Sequence, residues 1–444
     1  MTEGSVARHL ILFAVPLLAG NLFQQFYNAV DTWVVGNYVS NEAFSAVGTV
    51  SPIINMLIGA FTGLASGAGV VISQYYGAKR YEKVKEAVHT ALVMTFFLCA
   101  AFTIIGLGMT PAMLRLMKTP AEVFPQSQTY LNIYFGGITG LLIYNMGAGI
   151  LRAVGDSNRP FYFLMVSVCI NIVLDLVFVI VFDMGVAGVA WATIIAQGIS
   201  AALVLIALAR TNTCVKISLP ALRVDRNILA KIIRIGIPSA FQLAITAFSN
   251  VFVQSYINHF GADCMSGWTA MLKIDQLILL PIQSLALAST TFVGQNLGIN
   301  NVKRAQDGVR KSILIAMGCA VFLGLVVIFS APWLVAFFNS KPEVVEFGTL
   351  FLRHLTPFYL LPCINQVLAA SLRGAGKSRV PMVVLLFSFV FFRQTYLFVM
   401  ANFISNTVLP IALGYPIGWL MASILLLLYY RRRGLSGGQL VEAK

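Results

Sequence analysis

Charge is scarce in this chain. Only 10% of its 444 residues are Asp, Glu, Lys or Arg, against about 25% in an average soluble protein. Acids are the fewest, at 16. Histidine is limited to His9, His89, His259 and His354, dispersed and without metal-ligand spacing. The six cysteines, Cys99, Cys169, Cys214, Cys264, Cys319 and Cys363, contain no C-x-x-C pair. They read as packing residues or free thiols, which excludes a disulfide frame or a cysteine metal site. No G-x-x-x-x-G-K-[ST] loop is present; Gly374-x-Gly376-Lys377-Ser378 lacks the spacing and follows an apolar run. Direct ATP drive is therefore not supported. With no acid/base or metal constellation at a membrane face, an integral-membrane enzyme is rejected, and no cofactor is expected.

What the chain has in place of charge is apolar length. Hydrophobic residues make up 58%, the mean hydropathy is +0.84, and runs of about 20 apolar residues recur throughout. Such a chain is a polytopic membrane protein, and backbone pairing in lipid makes the spans helices. Twelve are expected, at roughly 10–35, 46–73, 88–110, 126–150, 161–182, 186–209, 234–258, 266–294, 312–330, 347–370, 381–404 and 408–430. The first run outlasts a signal-peptide core and is expected to be retained.

The net charge of +14 is topological. Of the 30 basic residues, 24 fall at alternate span ends on one side, including Lys79, Arg80, Lys83, Lys85, Arg431, Arg432, Arg433 and Lys444. Four (Arg115, Lys118, Lys341 and Arg353) fall on the other, and Lys273 and Arg393 lie within spans. Both termini are expected to be cytoplasmic by the positive-inside rule, and no nucleic-acid partner is expected.

The chain also repeats itself. Leu151-Arg152-Ala153-Val154-Gly155-Asp156-Ser157 aligns with Leu372-Arg373-Gly374-Ala375-Gly376-Lys377-Ser378 at an offset of 221, and Pro160 aligns with Pro381. Gln74 and Gly77 match Gln295 and Gly298 at that offset; Pro16 and Asn28 match Pro238 and Asn250 at 222. Two copies of six helices enter the membrane in the same sense, giving two parallel-repeat bundles around a central cleft. The division expected is an N-lobe over 1–209, a cytoplasmic linker over 210–233, a C-lobe over 234–430 and a cytoplasmic tail over 431–444. Within the linker, Leu222, Ile228, Leu229, Ile232 and Ile233 suit either an amphipathic surface helix or a solvated connection.

Five charges lie well inside spans: Asp31, Asp175, Lys273, Asp275 and Arg393. Each costs roughly 2.5–3.5 kcal/mol on insertion, so each marks a cavity, an ion or a partner. Asn171 and Asp175 are four apart and share a helix face, with Thr193 on the next helix. Asp31 lies on the first helix, beyond Pro16, which removes one helical hydrogen bond and invites a bend. Asp31, Asn171, Asp175 and Thr193 offer oxygen ligands with no basic partner in the same half. Two neighbouring carboxylates there cannot both ionise comfortably, so a proton or a bound sodium ion must supply charge. Helix-to-helix hydrogen bonding is the plainer use of such residues. In the second half, Lys273 and Asp275 are two apart and do not face one another. A structural ion pair of Asp275 with Lys273 or Arg393 from a neighbouring helix is expected there, with a substrate role as the alternative.

The repeat, the twelve spans and the set Asp31/Asn171/Asp175/Thr193 resemble the multidrug and toxic compound extrusion (MATE) transporters, in their DinF-like prokaryotic branch. The likeness covers nearly the whole chain, including Pro16, Gln74 and Gln295. It implies a cation site at Asp31, Asn171, Asp175 and Thr193 and a hinge at Pro16. It further implies efflux of amphipathic, often cationic compounds in exchange for protons or sodium. A second cation site is put in doubt, since spans 234–258 and 347–370 contain no Asp or Glu. The alternative is a lipid or saccharide-lipid flippase, with Lys273 and Arg393 holding a phosphate. The expected setting is a prokaryotic inner membrane, and the expected form a monomer in contact with membrane lipid.

Overall fold

The computed structural model describes residues 1–39, 41–117, 119–218, 220, 222–437 and 439–440. Lys118, Lys444 and part of the 431–444 tail lie outside the described residues.

Among the described residues, twelve helices long and apolar enough to cross a membrane follow in order. They are α1 (Val6–Tyr38), α2 (Ala46–Gly77), α3 (Tyr81–Leu116), α4 (Phe124–Ala153), α5 (Asn158–Val181) and α6 (Gly185–Arg210). In the second half come α7 (Arg226–Asn258), α8 (Ala262–Gly298), α9 (Val302–Phe338), α10 (Pro342–Gly374), α11 (Arg379–Ile404) and α12 (Val408–Arg433). The chain is a multi-pass, all-helical membrane protein. Each observed helix extends past its apolar run, because helix hydrogen bonding continues beyond the residues that lipid requires to be apolar.

The repeat is written into the backbone. Lys79 and Asn300 both take left-handed φ values, 55° and 59°, and Gly155 and Gly376 take 98° and 78°. Each pair is 221 residues apart, as in the sequence. The residues that follow, Arg80 and Asn301, start α3 and α9 with nearly the same φ,ψ, −87°,69° and −88°,71°.

Two compact units emerge, Pro16–Gly236 and Met1–Val15 with Ile237–Lys444. Their borders fall inside α1 and α7, at Pro16 and beside Pro238. Ile228, Leu229, Ile232 and Ile233 belong to α7, which starts at Arg226, rather than to a separate surface helix. The connection between α6 and α7 runs over 211–225, and its described residues are bonded to α3. Ser218 N–H donates to His89 Nε2 at 3.2 Å, and Asp225 N–H to Thr90 Oγ1 at 3.1 Å.

Within the Pro16–Gly236 unit, α4 packs on α6 through small residues. A Cβ added at Gly140 would lie 2.8 Å from the Gly198 nitrogen, so only glycine permits this approach. In the other unit, α8 meets α10 in the same way, Gly267 against the Gly348 nitrogen at 2.8 Å. Trp268 of α8 stands edge-on to Phe351 of α10 there, with ring centroids 4.9 Å apart.

Candidate functional site

In the Pro16–Gly236 unit, α5 turns a polar stripe inward. Ser167, Asn171 and Asp175, each four residues apart, are among its few buried residues. Ser167 Oγ ties the stripe to α6 through Ala196 O at 2.8 Å. Asp31 of α1 meets this stripe and is itself buried, at 8% exposure.

The carboxyls of Asp31 and Asp175 are neighbours, both within reach of the Asn171 amide. The Asn171 amide, oriented by its hydrogen bonds, donates from one nitrogen to Asp31 Oδ1 at 3.0 Å and to Asp175 Oδ2 at 3.2 Å. Asp175 Oδ1 is buried with no hydrogen-bond partner. Among the described residues no ion pair engages either carboxylate. Thr193 of α6 is buried beside them and donates its own proton to Val189 O at 2.9 Å, leaving its oxygen as an acceptor.

Three tyrosines complete the surroundings. Tyr27 approaches Asp31 and Thr193, Tyr130 approaches Thr193, and Tyr134 approaches Gln197. The Tyr130 and Tyr134 rings stack at 6.3 Å between centroids. Four helices thus each contribute a polar pair spaced by four: Tyr27/Asp31, Tyr130/Tyr134, Asn171/Asp175 and Thr193/Gln197. Sequence reasoning found the charged members and their immediate neighbours but missed Tyr27, Tyr130, Tyr134 and Gln197. The i,i+4 polar spacing inside apolar runs was the signal that would have found them. Pro16 lies in α1 on the same chain segment as Tyr27 and Asp31. A proline there leaves one backbone carbonyl of the preceding turn without its helical partner.

The second half is built differently. Asp275 and Arg393 are buried, whereas Lys273 is exposed. The expected ion pair is not formed: among the described residues Asp275 bonds neither Lys273 nor Arg393. Tyr359 of α10 lies beside the Asp275 carboxylate, without a well-formed hydrogen bond. Arg393 is satisfied by neutral groups on α7 instead. Its Nη2 donates to Ser249 Oγ at 2.8 Å and Asn250 Oδ1 at 2.9 Å, and its guanidinium lies 4.9 Å from the Tyr415 ring centroid. Its Nε has no partner. Hydroxyl, amide and aromatic acceptors replace the carboxylate that spacing in sequence had suggested.

Among the described residues no three His, Cys, Asp or Glu side chains converge as metal ligands.

Comparison with known proteins is consistent across methods. The MatE family profile matches residues 16–177 and again 238–399. The probable multidrug resistance protein YpnP of Bacillus subtilis is 30% identical over 430 residues, 97% of this chain and 96% of that one. The probable multidrug resistance protein NorM of Thermotoga maritima is 22% identical over 96% of this chain and 92% of its own. An outward-facing multidrug resistance MATE family transporter of the MOP superfamily superposes with TM-score 0.92 at 24% identity, covering 99% of this chain and 98% of that one. The two matched segments lie 222 residues apart. At that offset Arg393 stands where Asn171 stands in the first half, and Ser249 where Tyr27 stands.

Proposed function

Because the chain belongs to the MatE family of multidrug and toxic compound extrusion transporters, we propose that it is a secondary antiporter driven through Asp31 and Asp175. The family assignment gives drug efflux transport. The proposal adds that amphipathic, cationic small molecules leave in exchange for a coupling cation.

One observation carries this reading: two neighbouring buried carboxyls, bridged by the Asn171 amide, with no basic side chain paired to them among the described residues. In a low dielectric such a pair holds a proton or cation in common. Loading or emptying it changes the net charge on α1 and α5, and a conformational equilibrium shifts only if the ion binds one state better than the other. Bending of α1 at Pro16, where the backbone ladder is already interrupted, would supply that difference. A potential of 100 mV adds about 2.3 kcal/mol per charge carried across the membrane.

A proton fits the site with the Asn171 amide nitrogen turned to both carboxylates. Sodium would require the amide oxygen to turn inward and join Asp31, Asp175 and Thr193 as hard oxygen ligands. A lipid or saccharide-lipid flippase is the second reading, favoured only by the buried Arg393 with no acidic partner. The expected setting is the prokaryotic inner membrane, with both termini cytoplasmic and the protein monomeric.

The test is export of ethidium from reconstituted vesicles under a proton or a sodium gradient imposed separately. It is run for the intact protein, Asp31→Asn and Asp175→Asn. Gradient-driven export lost in both variants supports the site, and the effective gradient names the ion. Export unchanged in folded variants refutes it, and no export of any cation turns attention to lipid-linked substrates.

A further inference from the structure

One apolar groove in the Pro16–Gly236 unit takes no part in the carboxylate site. It encloses about 310 Å³ and is lined by Leu92 and Phe96 of α3, Leu205 and Ile206 of α6, and Ile217 and Leu222 of the 211–225 segment. Phe96 and Ile206 remain 46% and 48% exposed, so the groove opens on the outer surface of these helices.

The groove is a built feature. The segment that forms its edge is tied to α6 and α3 at three described residues. Ile217 N–H donates to Leu208 O at 3.1 Å, Ser218 N–H to His89 Nε2 at 3.2 Å, and Asp225 N–H to Thr90 Oγ1 at 3.1 Å. His89 in turn bonds Lys85 O through Nδ1 at 2.7 Å, so its ring presents Nε2 as the acceptor.

Three basic residues stand next in sequence to the residues that line this groove. Arg210 follows the lining residue Ala209, Lys216 precedes Ile217 and Arg223 follows Leu222. All three are exposed, and among the described residues none has an ion-pair partner. The one acid in the segment, Asp225, is already engaged. Its Oδ1 accepts from the N–H groups of Asn227 and Ile228, and its Oδ2 lies 3.8 Å from Lys83 Nζ. An exposed apolar groove of this size, with three exposed basic residues next in sequence to its lining and without an ion-pair partner among the described residues, suits one molecule with an apolar chain and an anionic head.

We propose that this groove holds one acyl chain of an anionic phospholipid whose phosphate lies against Arg210, Lys216 and Arg223. A zwitterionic lipid fills the apolar part but gains no net attraction from the three basic residues. The proposal does not depend on which ion or substrate is transported. Bound there, the lipid would brace the connection between the two halves of the repeat against α3 and α6.

The test uses the full-length protein, stripped of lipid in detergent and titrated with palmitoyl-oleoyl phosphatidylglycerol or phosphatidylcholine. Bound lipid is read by native mass spectrometry and by the shift in melting temperature. Phosphatidylglycerol should bind more tightly and raise the melting temperature more than phosphatidylcholine. Each basic residue near an anionic headgroup is worth about fivefold in affinity, so Arg210→Gln/Lys216→Gln/Arg223→Gln should weaken phosphatidylglycerol about a hundredfold. Leu205→Trp, which fills the groove and keeps the charges, should also remove the preference. The control Lys303→Gln/Arg310→Gln, exposed in the other unit, should leave it within twofold. Equal binding of the two lipids overturns the proposal. So does an equal loss in the control, or an unchanged preference in Leu205→Trp.

Discussion

Replacing Asn171 by leucine tests the coupling site without touching a carboxylate. Leucine repeats the branched heavy-atom skeleton of asparagine with somewhat more bulk and suits a membrane helix, so the change chiefly removes the amide. The amide donates to Asp31 Oδ1 at 3.0 Å and to Asp175 Oδ2 at 3.2 Å. Hydrogen bonds to charged acceptors contribute about 1.5–3 kcal/mol each. At least one carboxyl must be ionised in the emptied site, so losing both bonds disfavours that state by about 3 kcal/mol. That is on the order of a hundredfold in the equilibrium between loaded and emptied forms. The variant should therefore bind substrate nearly as well as the intact protein but turn over slowly. In reconstituted vesicles, gradient-driven ethidium export should fall at least tenfold, with ethidium affinity changed less than threefold. Export within threefold of the intact protein, in material that elutes as folded, would show that the bridging amide does not control coupling.

Other consequences can be checked more simply. Gly140→Leu should lower the melting temperature by the equivalent of about 1–3 kcal/mol, because its Cβ meets the Gly198 backbone. Gly136→Ala on the same helix, with open space at its Cβ, should leave the melting temperature unchanged or raise it. Arg393→Met should melt no lower than the intact protein, since removing a buried charge held by neutral groups is often neutral or stabilising. A clear drop would show that its bonds to Ser249 and Asn250 hold α11 to α7. Burial pushes the Cys214 thiol above its usual value. In a variant keeping only Cys214, maleimide labelling should be slow at pH 7.5 and still rising past pH 9; a plateau by pH 8.5 would contradict this.

Legibility in the sequence followed the strength of the local signal. Lipid demands long apolar helices, so twelve spans were readable, although helix ends were not, because hydrogen bonding carries each helix past its apolar run. The repeat was equally visible, and the paired left-handed residues Lys79/Asn300 and Gly155/Gly376 are its backbone form. Asp31 and Asp175 stood out because charge is costly in a membrane. Tyrosine at Tyr27 and Tyr130 carries no such cost and passed as ordinary aromatic packing.

Tertiary structure decided what a linear pattern cannot contain. The meeting of Asp31 with Asp175 depends on how α1 packs against α5, and side-chain spacing along one helix says nothing of that approach. Arg393 shows the limit from the other side. Its charge in an apolar run implied a carboxylate partner, yet Ser249, Asn250 and Tyr415 satisfy it with neutral and aromatic groups. Likewise Arg226–Ile233, basic and amphipathic in sequence, joins α7 because the helix runs unbroken into the apolar span that follows. Composition placed this chain in a membrane as a helical bundle, and the residues repeated at a fixed offset showed that the bundle is duplicated. Which polar groups share a pocket was settled by packing between helices, because only there do residues more than a hundred positions apart come within hydrogen-bond reach.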